Sequence, residues 1–282
     1  MQIRRQDSAL RLEPSEDRGT RITSFFLSSR LVPSLLSMRA LVLLAVALVS
    51  GLVPAAAVAQ ETPDFFFRQP RVGVGGRFGW VFARAGSDVF DFVTEQLTLD
   101  RSDFDAPAFE VDVDVALTTR ASLVFGFDFS TASKRSEYRD FVDNERLAIN
   151  QETRLREMNL SAGFKIALTP RGREIGSRAW IPAVVTPYVG AGGGMLHYEF
   201  EQKGDFIDFV DFSVFPDTFR SNGWAPSAHV FGGVDIKAWK RLYVTAEARY
   251  RWSKADLEND FVGFDPIDLA GAAISGGIRY MF

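Results

Sequence analysis

Fourteen ionisable side chains stand at alternate positions of short apolar segments, and that spacing limits the chemistry open to them. They are Arg71, Arg77, Lys165, Lys237, Arg249, Arg251 and Arg279 against Glu110, Asp112, Asp114, Asp128, Glu157, Asp235 and Glu247. Paired carboxylates such as Asp112 and Asp114 perform acid–base work when a cleft admits substrate and their environments differ. Two residues apart in a strand, however, they share one face. If that face lines a narrow filled interior, buried charge is tolerable only when paired. The expected chemistry is therefore a lumen ion-pair network. The two histidines, His197 and His229, have neither nucleophile nor zinc spacing. Ser227 and Glu199 each lie two residues from a histidine. The favoured reading is still an inward histidine hydrogen-bonded among carboxylates, and no catalytic residue, metal or cofactor is expected.

Eight segments must position these groups, each alternating with a period of two. The first sets Val72, Val74, Phe78, Trp80 and Phe82 against Arg71, Gly73, Gly75, Arg77 and Gly79. The second, Phe109 to Leu117, places Glu110, Asp112 and Asp114 opposite valines. The third and fourth set Leu123, Phe125, Phe127 and Phe129 against Asp128, and Met158 to Leu168 against Glu157 and Lys165. The fifth, Pro187 to Phe200, carries four glycines, so its faces stay unassigned and a bulge is one reading. The sixth and seventh set Val230, Val234 and Ile236 against His229, Asp235 and Lys237, and Leu242 to Trp252 against Glu247, Arg249 and Arg251. The eighth sets Ala272, Ile274, Ile278, Tyr280 and Phe282 against Gly271, Ser275, Gly277 and Arg279.

In water, eight such apolar faces would form one vast exposed patch. A soluble lipocalin-type barrel, the competing architecture, reverses the polarity, with charge outside. Grease outward and charge inward suits hydrocarbon surroundings, where strands must close into a barrel. The fold expected is all-β: an eight-stranded antiparallel up-and-down transmembrane β-barrel. Short turns at 118–121 and 238–241 and a longer one at 170–186 belong to the periplasmic side. Long loops near 86–104, 134–150, 201–223 and 253–268 belong outside.

Met38-Arg39, the apolar run from Ala40 to Val53 and the small residues Ala57 and Ala59 read as a secretory signal peptide over 38–59. Met38 is then the expected initiator, with 1–37 a non-native disordered extension, 60–70 a periplasmic segment and 71–282 the barrel. Removing residues 1–59 leaves 25 basic and 32 acidic residues, an acidic balance that argues against nucleic acid as a partner. There is no cysteine, so disulfides play no part.

Asp-Phe-Val occurs four times, once in each long loop: Asp91 and Phe92, Asp140 and Phe141, Asp208 and Phe209, Asp260 and Phe261. The reading preferred is that the phenylalanines pack together above the barrel mouth while the aspartates remain solvated. The alternative is an acidic and aromatic ring offered to an unknown extracellular ligand. The loops are acidic and the periplasmic turns basic, with Arg120, Arg171, Arg173, Arg178, Lys240 and Arg241.

Across about Arg71 to Phe282, and most specifically in Ile278, Tyr280 and Phe282, the chain resembles the small outer-membrane β-barrel superfamily. That superfamily includes the transmembrane domain of outer membrane protein A and related porin-like surface proteins. The resemblance implies that the aromatic terminus is a signal read by the barrel assembly machinery, and that outer-membrane lipids surround the wall. Since the sequence ends with the barrel, no C-terminal peptidoglycan-binding domain is expected. The superfamily shares architecture more than chemistry. The expectation is a non-enzymatic protein of the cell outer membrane with a closed, salt-bridged lumen, acting in envelope integrity or surface interaction through its loops. A narrow porin-like channel and a lipid-active enzyme using His197 or His229 are the alternatives.

Overall fold

A computed structural model describes residues 66–282 apart from 144, 177–178 and 209–212. The expected signal peptide, the residues before it and most of the 60–70 segment lie outside the described residues. In chain order the elements are β1 Val72–Ala83, α1 Asp88–Gln96, a 3-10 turn Arg101–Phe104, β2 Ala106–Ala116, β3 Ala121–Val142 and β4 Ala148–Ala167. There follow β5 Gly172–Ile175, β6 Ala179–Pro182, β7 Val185–Ile207, β8 Val214–Lys237 and β9 Leu242–Ala255. A 3-10 turn Asn259–Phe261, β10 Ile267–Asp268 and β11 Gly271–Met281 complete the chain.

Eight of the strands form a ring in the order β1, β2, β3, β4, β7, β8, β9, β11, every neighbouring pair antiparallel. β11 then pairs with β1 from Gly73 opposite Met281 to Ala83 opposite Gly271, which closes the ring. Closure satisfies the backbone groups that an open edge would leave bare in hydrocarbon. Side-chain polarity follows the pleat. In β1, Val74, Phe78, Trp80 and Phe82 are exposed while Gly73, Gly75 and Arg77 are buried.

Four strands outrun the expectation. β3, β4, β7 and β8 have 22, 20, 23 and 24 residues, whereas about 9–11 suffice to cross a bilayer. The segments expected as loops over 134–150 and 201–223 are therefore mostly two hairpins that continue the barrel wall outward. Their outward residues turn from apolar to charged where the wall leaves hydrocarbon, and that change reads as a strand end in sequence. Cross-strand ion pairs, Arg154 with Glu201 and Arg156 with Glu199, stabilise a strand in water just as apolar neighbours do in lipid.

The glycine-rich β7 has no bulge: its register with β4 runs unbroken from Ala167 opposite Tyr188 to Gln151 opposite Gly204. Tyr188, Leu196, Tyr198 and Phe200 point inward, and Val189 and Met195 outward. Gly190 is required because a Cβ there would run into the Phe231 ring, which crosses the lumen at that level. On the periplasmic side the expected longer turn is a small β5–β6 hairpin. Phe66 is bridged to it by two backbone bonds with Trp180, of 2.9 and 2.8 Å.

Candidate functional site

Thirteen charged side chains run through the lumen as one connected chain. It begins at the periplasmic end, where Arg171 meets Asp114 at 3.3 Å and Asp114 meets Lys165 at 3.2 Å. Lys165 donates to Asp235 at 3.0 Å, and Arg279 bridges Asp235 and Asp112 at 2.8 Å each. Asp112 meets Arg77 at 3.0 Å, and Arg77 reaches Glu110 at 2.5 Å and Glu247 at 3.4 Å. Arg249 binds Glu110 and also Glu247, the latter at 2.8 Å, and lies 3.8 Å from Asp128. Arg251 closes the sequence, at 3.3 Å from Asp128 and paired with Glu157. Glycines opposite the long cations make the room: the Arg279 stem passes over Gly73, and Asp112 lies against Gly75.

Each such ion, moved alone out of water, would cost several kcal/mol, so only mutual pairing makes the arrangement tolerable. Neutral groups complete it. Tyr188 donates to Glu247 at 3.0 Å while the Lys165 ammonium sits 3.8 Å from the Tyr188 ring centre. Asn159 donates to Asp128 at 2.7 Å and accepts from Ser227 at 2.9 Å. A cavity in this stretch, lined in part by Glu110, Asp128, Arg249 and Arg251, has a volume of about 40 Å³, enough for a water or two and no solute.

Twelve of the fourteen residues named from sequence are in the chain of ion pairs. Arg71 is not: it precedes β1, is exposed at the periplasmic rim and makes no ion pair among the described residues. Its backbone is already bonded to Phe282 and Ala116, but its side chain stands exposed at the rim, beyond the filled lumen. Lys237 is the last residue of β8 and half-buried. Sequence reasoning missed Arg171, which it left in a turn. That side chain folds up into the mouth, donating to Ser122 at 2.6 Å as well as pairing with Asp114. No periodicity in the turn after Pro170 signals that direction.

His229 is buried but does not sit hydrogen-bonded among carboxylates; its Nδ1 has no hydrogen-bond partner among the described residues. Its cross-strand neighbours are Gly192 and Arg251, neither of which offers a side-chain acceptor. Ser227, which shares its face, donates to Asn159 instead. His197 faces outward against Trp224, ring centres 5.0 Å apart, and Glu199 is engaged by Arg156 at 3.1 Å. Among the described residues no cluster of histidines and acids is arranged to hold a metal ion.

Above the ion pairs the interior turns apolar. The first long loop is not irregular: α1 lies in the extracellular mouth and buries Val89, Phe90 and Val93. Phe90 packs edge-on to Phe104 at 4.7 Å and to Phe200 at 5.9 Å, and Phe261 joins Phe200 at 5.4 Å. The cap is latched at its rim, where Asp88 accepts from the Asp265 backbone and Ser87 from the Asp268 backbone.

The Asp-Phe-Val copies do not form a ring. Phe92 and Phe261 meet through Phe264, at 5.5 and 6.4 Å, whereas Phe141 packs on Tyr138 at the β3–β4 tip. Phe209 lies outside the described residues. Of the aspartates, Asp140 and Asp260 are exposed, the latter accepting from the Arg220 backbone at 2.9 Å, while Asp91 pairs with Arg101 at the surface. Asp208 donates through its backbone to Ser213 at 2.9 Å. At the other end Ile278, Tyr280 and Phe282 all face outward, with the two rings 4.9 Å apart.

The polarity of the wall is thus complete: a closed ring of strands with aliphatic and aromatic groups outside and ionised groups within. In water this surface would be untenable. The chain is a membrane-spanning β-barrel. Its fold is that of the small outer-membrane β-barrels. Solved structures similar to it include Neisserial surface protein A, at 13% identity over 78% of this chain and 97% of that one, with a TM-score of 0.36. OprG from Pseudomonas aeruginosa is similar at 10% identity, 77% and 98% coverage and a TM-score of 0.44. Ail of Yersinia pestis is similar at 11% identity, 76% and 100% coverage and a TM-score of 0.35. No protein-family profile matches the chain, nor does any curated protein sequence. The fold itself rests on the closed ring and its polarity.

Proposed function

We propose that this outer-membrane barrel is a closed, non-enzymatic envelope protein that acts through its wall and its extracellular hairpins rather than through its lumen. The observation that carries this reading is the unbroken chain of ion pairs from Arg171 to Glu157, roofed by the apolar cap. A filled lumen leaves two surfaces for function. One is the wall, whose partners are outer-membrane lipids and, during biogenesis, the assembly machinery at Ile278, Tyr280 and Phe282. The other is the hairpin tips. At the β3–β4 tip Val142 and Leu147 are exposed beside Phe141, and apolar groups held out in water suit contact with an extracellular ligand.

The test is conductance of the purified, refolded protein in planar bilayers. The reading predicts no stable channel steps, and steady ohmic channels would replace it with the narrow-pore alternative. Mass spectrometry of outer-leaflet lipids from a deletion strain addresses the enzymatic alternative: an altered acylation pattern restored by wild type but not by a His229→Ala variant would establish it.

A further inference from the structure

The lipid-facing wall is not uniformly covered. Across β2, β3, β4 and β7 it carries a groove of about 580 Å³, bounded by Phe125, Phe127, Leu160 and Met195 and floored by Ala162 and Gly193. The groove exists because those two small residues are register partners in a wall otherwise covered by large ones. Farther up the same face of β4 come Met158, Arg156 and Arg154. Ala162 and Arg156 are six residues apart, roughly 20 Å along the strand. With a tilt of about 40°, that is a height of about 15 Å, the thickness of one hydrocarbon leaflet. A chain ending in the groove therefore has its head group level with Arg156.

At that level three guanidinium groups reach the surface among carboxylates that are less exposed than they are. Arg156, Arg154 and Arg220 lie in neighbouring rows of β4 and β8, with side chains 41%, 37% and 53% exposed. The carboxylates behind them, Glu199 and Glu201, are only 24% and 10% exposed. Glu199 accepts from Arg156 at 3.1 Å and lies 3.6 Å from Arg220, and Glu201 holds Arg220 and lies 3.7 Å from Arg154. Glu152 also holds Arg154 at 2.9 Å, so the acids fix the guanidinium groups in place while their side chains stay partly exposed. Guanidinium donors in such an arrangement match phosphate oxygens. Trp224, exposed one row below, supplies the interfacial aromatic.

We propose that this surface binds one phosphate-bearing lipid of the outer leaflet, with an acyl chain in the Phe125–Met195 groove and its phosphate on Arg156 and Arg154. The site rests on the reading of the wall as membrane-embedded and adds to it a specific occupant.

The test is native mass spectrometry of the full barrel released from phosphatidylcholine vesicles. The vesicles are doped with a bisphosphorylated, multiply acylated disaccharide lipid or with the same lipid dephosphorylated. Co-flotation of protein with the vesicles is scored separately and tests insertion alone. One retained copy of the phosphorylated lipid is expected, at least tenfold above the dephosphorylated one. The paired change Arg154→Gln and Arg156→Gln lies outside the hydrocarbon and should cut retention at least tenfold with flotation unchanged. Ala162→Phe, which fills the groove, should do the same; if that variant fails to float, Ala162→Leu replaces it. Equal retention of both lipids, no retention, or loss confined to one of the two kinds of variant overturns the site while leaving the membrane reading standing.

Discussion

From Arg171 up to Glu157 the barrel is filled by charge; from Leu155 and Leu196 up to Phe261 it is filled by hydrocarbon. The lower stretch is built wholly by strands, with one turn residue folded in, and each group has named partners at hydrogen-bonding distance. The upper stretch is built by loops packed against strand ends, and its contacts are non-directional. Charge in a low-dielectric interior demands partners and leaves little tolerance for a gap. Apolar packing asks only for volume and shape. The lower half should accordingly fail globally when one group is removed, and the upper half locally.

The largest effect is expected at the crossing points of the ion pairs. Arg77→Ala removes the cation that joins Asp112 to Glu110 and Glu247, leaving three buried carboxylates to share Arg279 and Arg249, and should cost about 3–5 kcal/mol in urea unfolding from lipid vesicles. A cost below about 1 kcal/mol would mean that water already solvates this stretch, and the contrast with the cap would fail. Phe90→Ala removes the centre of the cap, a change that costs about 3–5 kcal/mol in a closed core. Here the expectation is different in kind: rapid protease cleavage near residues 86–104, with the barrel's own unfolding midpoint shifted far less than by Arg77→Ala. If the midpoint falls equally, cap and barrel are one cooperative unit.

Arg171→Ala sharpens the lower boundary. The residue pairs with Asp114 at the mouth, where Lys165 still neutralises that carboxylate, so a smaller loss of about 1–3 kcal/mol is expected in the same unfolding assay. At the small end, Arg220→Gln breaks pairs on the water-exposed hairpin and should leave the unfolding midpoint almost unchanged. A larger loss would show that the projecting hairpins stabilise the wall beneath them.

The same contrast explains what sequence could reveal. Val111, Asp112, Val113 and Asp114 carry both the pleat and the polarity in four letters, so the wall and most of its ion pairs were legible. Arg171 was not, because a turn has no periodicity from which to infer a direction. The cap was hidden for a related reason. Val89, Phe90, Val93 and Leu97 have helical spacing, but over a run of only nine helical residues, which is too short to be stable without the tertiary packing that holds it. The hairpin strands were cut short in sequence because a two-residue alternation of polar with polar residues resembles a loop. His229 shows a further limit, since placing it inward was correct while its partners depended on which strands lay beside it.

The central claim is that the ion pairs, and not the cap, seal the barrel. The direct measurement is planar-bilayer conductance of a variant in which residues 86–104 are replaced by a short glycine-serine turn, after its refolding has been verified by its β-sheet circular dichroism. The account predicts a barrel as silent as the wild type. Stable, ohmic channels from the shortened protein would contradict it, because the seal would then lie in the apolar roof and the chain from Arg171 to Glu157 would line a pathway.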